Sequence, residues 1–210
     1  MPHCVLLGDS IFDNGSYTRG GPAVIDQLRS QLPAGWSATL LAVDGSTTAD
    51  LPGQLARLPA EATHLVVSIG GNDALLASGL VQQRAGTVGE ALTQLAQAMQ
   101  TFAASYRRAM QAVIAAGKPA VFCTIYDPLF PDPAYQTTLT AGLAHFNDAI
   151  IRQVGAGGMP LIDLRHVCTA AGDYANEIEP SSAGGAKIAR AIAHALAAHD
   201  FSTQGTVVYF

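Results

Sequence analysis

Charge is scarce in this chain. Only 13% of its residues are charged, against 49% hydrophobic, and the formal net charge is -5 with a pI near 5.6. No basic surplus exists from which to build a nucleic-acid-binding face, so nucleic acid is excluded as a partner. High apolar content with little charge also excludes extensive disorder. No apolar run approaches the ~20 residues that span a bilayer, and no membrane span is expected. The first strand is expected to be under way by residue 3, and no secretory signal is expected. Cysteine is sparse as well: three residues, at positions 4, 123 and 168. An odd, scattered set makes no disulfide framework and leads us to expect reduced thiols in a cytoplasmic protein. Cys168 lacks a cluster of positive charge that would make it a nucleophile. The glycines at 15, 20 and 21 lack the spacing of a phosphate-binding fingerprint. Repeats, linkers and composition shifts are missing too, so residues 1–210 are read as one domain. A domain of that length buries roughly 70% of its unfolded surface and needs neither disulfide nor metal to be stable.

What is present is a regular alternation of apolar strands and amphipathic helices. The stretch Val5-Leu6-Leu7-Gly8-Asp9-Ser10 is a buried strand that stops on a hydroxyl. Strands are expected over residues 3–7, 37–43, 65–69, 120–125 and 160–164. Helices are expected from Pro22 to about residue 31, over 51–58, about 87–116 and about 137–154, and from Pro180 to the region of Leu196. In the long helix, Leu92, Leu95, Met99, Phe102, Tyr106, Met110 and Val113 recur at spacings of three and four, which marks one buried face. Pro22 and Pro180 suit first helical turns, where the missing N–H is unneeded. Five strands alternating with helices predict a five-stranded parallel sheet covered on both sides. The tail over residues 206–210 is apolar and β-prone, and reads equally as an edge strand or a contact surface.

In a parallel sheet, the loops that follow the strands gather along one rim, where open α/β sheets hold their sites. That rim collects Ser10, Gly45, Asn72 and the stretch 176–179. Acyl transfer by serine needs a nucleophile, donors for the developing oxyanion and a base. The N–H groups of Ser10 and Gly45 and the Asn72 amide supply three donors, and glycine at 45 permits close backbone approach. Ordinary alternatives exist for each: Ser10 and Asn72 as caps, Gly45 as a turn residue. The loop with Tyr126, Phe130 and Tyr135 either walls a substrate pocket or carries plain surface aromatics.

With Gly8-Asp9-Ser10, Gly45, Gly70-Gly71-Asn72-Asp73, and Ile178-Glu179-Pro180-Ser181 followed by Gly184, the chain resembles the SGNH hydrolases, also called GDSL esterases/lipases. The resemblance covers nearly the whole chain. It implies a flavodoxin-like three-layer α/β/α sandwich. It further implies ester hydrolysis by Ser10, with Ser10, Gly45 and Asn72 forming the oxyanion hole, a small-molecule ester as partner, and no metal or organic cofactor.

One block departs from that family. Its last motif normally reads Asp-x-x-His, where the histidine deprotonates the serine and the aspartate orients the histidine. Here the two positions hold Asn176 and Glu179. The pair is chemically coherent: an asparagine can donate to a carboxylate, whereas an aspartate would repel it. Glu179 is therefore expected to replace the base and touch Ser10, with Asn176 behind it. An unperturbed carboxylate at about 4.3 is a weaker base than imidazole at about 6.5; desolvation in a closed pocket would recover some basicity, and slow hydrolysis or a slow acyl-transfer step is expected. Of the six histidines, His166 follows strand five at the correct end and is the alternative base. The rival function is a weakly active or inactive relative that binds an acyl or glycan-like ligand in the same cleft.

Overall fold

The computed structural model describes residues 1–203 and 205–210. Among the described residues, six strands form one sheet: β1 (His3–Gly8), β2 (Ser37–Leu40), β3 (His64–Ser68), β4 (Ala120–Cys123), β5 (Leu161–Ile162) and β6 (Val208–Tyr209). Their spatial order is β2-β1-β3-β4-β5-β6, and every pairing is parallel. The expected count of five is corrected to six, because the apolar tail pairs with β5 in register Leu161 to Val208. The tail is thus an edge strand.

Two cores flank the sheet because strand residues alternate between its faces. Cys4 and Leu6 of β1, with Val66 and Val121, pack against α1 (Val24–Gln31) and α7 (Ser182–Ala198). Val5 and Leu7, with Leu65, Val67 and Phe122, pack against α4 (Val88–Ala115) and α5 (Pro133–Ala156). The result is the expected three-layer α/β/α sandwich, with near-continuous apolar strands because both faces are covered. Short helices α2 (Leu51–Leu55), α3 (Gly71–Ala77) and α6 (Leu164–Val167) complete the set.

Several boundaries differ from the sequence reading. β2 stops at Leu40 because the N–H groups of Leu41 and Ala42 both reach the Leu6 carbonyl, which breaks the ladder. β5 shortens to two residues because Asp163 caps α6, accepting the Arg165 N–H. Pro22 and Pro180 lie before their helices rather than in the first turn. Ser181 caps α7, its Oγ accepting from the N–H groups of Ala183 and Gly184, and Ala23 is the N-terminal cap residue of α1. On α4 the buried face runs from Phe102 to Val113, whereas Leu92 is 57% exposed. No helix among the described residues is long and apolar enough to cross a membrane.

Candidate active site

The sheet order reverses between β1 and β3, and the crevice beside that switch point is where open α/β sheets bind ligands. β1 delivers Ser10 there through a turn that only glycine permits. Gly8 has φ +131°, and a Cβ on it would lie 1.7 Å from the Ser68 carbonyl oxygen. The turn is then fastened by Asp9, whose Oδ1 accepts the Ile11 N–H at 3.1 Å and whose carbonyl accepts from Phe12 and Asp13. Asp9 is buried, and burial together with the nearby Glu179 and Asp73 carboxylates pushes its carboxyl up to about 7.

Glu179 meets Ser10. The Ser10 hydroxyl donates to Glu179 Oε1 at 3.1 Å. The glutamate is only 7% exposed, and its Oε2 is buried with no hydrogen-bond partner among the described residues. Burial pushes its carboxyl up to about 7; the Ser10 hydrogen bond pulls the other way and the Asp44 charge adds to the rise. The loop holding it is tight. Asn176 Oδ1 accepts the N–H groups of Ile178 at 2.9 Å and Glu179 at 2.8 Å, and the Glu179 carbonyl accepts from Ala175. Asn176 therefore shapes the turn through the backbone. The expected donation to the Glu179 carboxylate is corrected on this point: Oε1 takes the Ser10 hydroxyl, Oε2 has no partner among the described residues, and the Asn176 amide nitrogen reaches neither.

The 44–48 loop is clasped to the first turn of α3. Asn72 Nδ2 donates to the Ser46 carbonyl at 2.9 Å, and Asp73 accepts from Thr48 through Oγ1 at 2.6 Å and N–H at 3.0 Å. The second Asn72 amide hydrogen is not used by that bond. Gly45 sits in the adjoining turn at φ +80°, a conformation glycine adopts without strain. The N–H groups of Ser10 and Gly45 have no acceptor among the described residues. Three potential oxyanion donors thus stand on held segments: Ser10 and Gly45 on loops, Asn72 in the first turn of α3.

His166 does not join this group. It is 67% exposed at its side chain, with Nε2 4.0 Å from Asp163 Oδ2 and its ring beside Phe210. Cys168 is buried, and burial pushes its thiol up to about 12, which leaves it protonated and inert. Among the described residues, no cluster of three or more His, Cys, Asp or Glu side chains is placed to hold a metal ion.

Two residues that sequence reasoning did not single out hold the site together. Gln54, 2% exposed, accepts the Gly8 N–H at 2.7 Å and donates to the Gly8 carbonyl at 2.8 Å and to Ser46 Oγ at 3.2 Å. Fully buried Asn14 donates to the Pro180 carbonyl and accepts the Val24 N–H. Tyr126 plays a third such part, its hydroxyl donating to the Ile178 carbonyl at 2.7 Å. Of the three loop aromatics, Tyr126 and Phe130 line the site cavity, and Tyr135 stacks edge-on against Phe130.

That cavity, about 130 Å³, opens beside Ser10, Asn72 and Glu179. Away from these groups it is walled by apolar side chains from the 78–82 turn, the 126–130 loop, α4 and α5.

The parallel three-layer sandwich is consistent with the SGNH hydrolase fold. The chain belongs to the GDSL-like lipase/acylhydrolase family, whose sequence profile matches residues 6–187. No curated protein matches it significantly. Among solved structures it is similar to an α/β hydrolase from the metagenome of Lake Arreo, Spain, at 20% identity and TM-score 0.66, covering 93% of this chain and 94% of that one. It is similar to a phospholipase A1 from Streptomyces albidoflavus at 15% identity and TM-score 0.63, covering 89% and 95%. It is similar also to a carbohydrate acetylesterase from Sinorhizobium meliloti at 13% identity and TM-score 0.63, covering 94% and 99%. At these identities the likeness is one of fold.

Proposed function

We propose that the protein hydrolyses small carboxylic esters through an acyl-enzyme on Ser10, with Glu179 as the base. The observation that carries this reading is the 3.1 Å hydrogen bond from Ser10 Oγ to a nearly buried carboxylate.

In the first half-reaction the Glu179 carboxylate takes the hydroxyl proton as Ser10 Oγ attacks the ester carbonyl carbon. The charge that leaves Glu179 reappears on the substrate oxygen, facing the N–H groups of Ser10 and Gly45 and the free Asn72 amide hydrogen. Collapse of the tetrahedral intermediate expels the alcohol, which takes the proton from Glu179. Water then attacks the acyl-enzyme while Glu179 accepts its proton; the second tetrahedral intermediate collapses by breaking the Ser10 Oγ–carbon bond, Oγ takes that proton back from Glu179, and a carboxylic acid is released.

A carboxylate is ordinarily a poor match for imidazole in this part. Desolvation supports the match here, since it raises the Glu179 carboxyl to about 7, close to the working range of a general base. Burial recovers some basicity, and turnover slower than a histidine base would give remains the expectation.

Labelling with a serine-reactive fluorophosphonate tests the reading together with turnover of an activated ester. The wild-type protein should be labelled and should turn the ester over, Ser10→Ala should do neither, and Glu179→Gln should lose turnover by about a hundredfold or more. Unchanged turnover in folded Ser10→Ala refutes it. So does a folded wild-type protein that is never labelled, which is the behaviour of a binding protein in the same cleft.

A further inference from the structure

We infer that the cavity beside Ser10 receives the acyl chain of the ester, that it fits about six carbons rather than an acetyl group, and that Gly142 sets this length. The inference rests on the reading of Ser10 as the acyl acceptor, and it adds the substrate class and a residue that determines it.

The cavity is asymmetric in its chemistry. Its polar groups, Ser10, Asn72 and Glu179 among them, stand where a carbonyl would react. Its far walls are Leu80, Leu95, Phe130, Leu139, Leu143 and Phe146. Ser78 and Thr138 are the polar residues beside those walls, and the Thr138 hydroxyl already donates to the Ala134 carbonyl, so a sugar placed there would lose most of its hydrogen bonds to water without replacement. An acetyl group would leave the space unfilled. An apolar cavity of about 150 Å³ holds a benzene ring, so the roughly 130 Å³ here suits a chain of about six carbons.

Gly142 is the distinctive part of the wall. It lies in the interior of α5, where glycine is the weakest helix former after proline. Its backbone does not call for glycine: its φ is not positive. Nor does close packing call for it, because a Cβ built there meets nothing within 4 Å. It does line the cavity. The side chain it lacks is therefore volume left to the ligand.

Turnover of p-nitrophenyl acetate, butyrate and hexanoate tests this, alongside methyl hexanoate against hexyl acetate. kcat/KM should rise about fourfold per added acyl methylene up to hexanoate. Methyl hexanoate should exceed hexyl acetate. Gly142→Leu should cut the hexanoate-to-acetate ratio about tenfold or more, and Gly142→Ala should cut it less. The alanine variant favours the helix, so it carries the test if the leucine variant does not fold. A flat acyl series, a preference for hexyl acetate, or an unchanged ratio in a folded Gly142 variant overturns the inference. Binding separates this failure from failure of the serine reading. Ser10→Ala protein should bind N-methylhexanamide more tightly than N-methylacetamide by ligand-detected NMR. Selective binding by the Ser10→Ala protein, when folded wild-type protein hydrolyses no ester, would refute the serine reading and keep the cavity assignment; equal binding of the two amides would overturn the cavity assignment itself.

Discussion

Asn14 and Pro180 are joined across the molecule. The Asn14 Nδ2 donates to the Pro180 carbonyl at 3.2 Å while its Oδ1 accepts the Val24 N–H at 2.9 Å. Pro180 directly follows Glu179, and Asn14 lies four residues after Ser10, just beyond the turn that begins there. One fully buried amide thus sets the spacing between the serine and the acid.

Asn14→Leu removes both hydrogen bonds and leaves two buried backbone groups unpaired. It should cost about 1–3 kcal/mol for each group left unsatisfied. Asn14→Asp keeps the acceptor for Val24 and loses the donor to Pro180, so it should lower ester turnover more than its loss of stability would account for. Urea unfolding and turnover of the same samples check both statements. Equal activity in folded Asn14→Asp would show that the link does not position Glu179.

The raised carboxyl of Glu179 gives a pH dependence with opposite signs in activity and stability. Only the ionised form accepts the serine proton, so kcat/KM should climb with an inflection near pH 7. Asp9 is raised to about 7 in the same neighbourhood, and the measured inflection belongs to the pair. For stability, an acid whose folded value lies above its unfolded one binds protons more readily in the folded state. Its contribution is then complete below about pH 4.5 and is lost as pH rises to about 7. Urea midpoints at pH 5 and pH 8 should show the protein more stable at pH 5 as far as this group is concerned. Glu179→Gln should reduce that difference and remove the inflection.

Asn176 acts on the backbone, and its variants should reflect that. Asn176→Ala deprives two N–H groups of their acceptor and should cost about 1–2 kcal/mol, with a matching fall in turnover. Asn176→Asp keeps both acceptors and adds a negative charge to the turn. Turnover should persist, with the pH inflection moved upward by repulsion from the new carboxylate. A pH–rate profile of the two variants decides it, and a downward shift in Asn176→Asp would contradict the placement.

Gly8→Ala should not give a stable fold. Its Cβ would sit 1.7 Å from the Ser68 carbonyl oxygen at a φ of +131°. The backbone must move at the joint of β1 and β3, and a loss of at least ~3 kcal/mol is expected. Thermal unfolding of the purified variant measures it.

The parts of this molecule legible from its sequence are those written locally. Apolar runs such as Val5-Leu6-Leu7 announce strands covered on both faces, and the glycine and serine that follow announce where a strand ends at the rim. Glu179 was legible because the shared strand direction brings its loop to Ser10, whatever residue stands there. Asn14 and Gln54 were not. Their bonds span 166 and 46 residues, and a buried amide has no periodicity to betray it. α3 was hidden by its start at Gly71 in a glycine-rich stretch, and the exposed half of α4 by a stripe that looks apolar throughout. Val208–Tyr209 is too short to reveal a strand before β5 is there to pair with it.

That last strand has a consequence for association between molecules. The amides of Leu161 and Asp163 are already taken by the carbonyls of Val207 and Tyr209. A foreign segment seeking a template at this border would find a two-residue ledge, too brief to hold it in register. Removing the final five residues would instead bare the rim of β5, and such a truncated molecule should be prone to stick to its own kind.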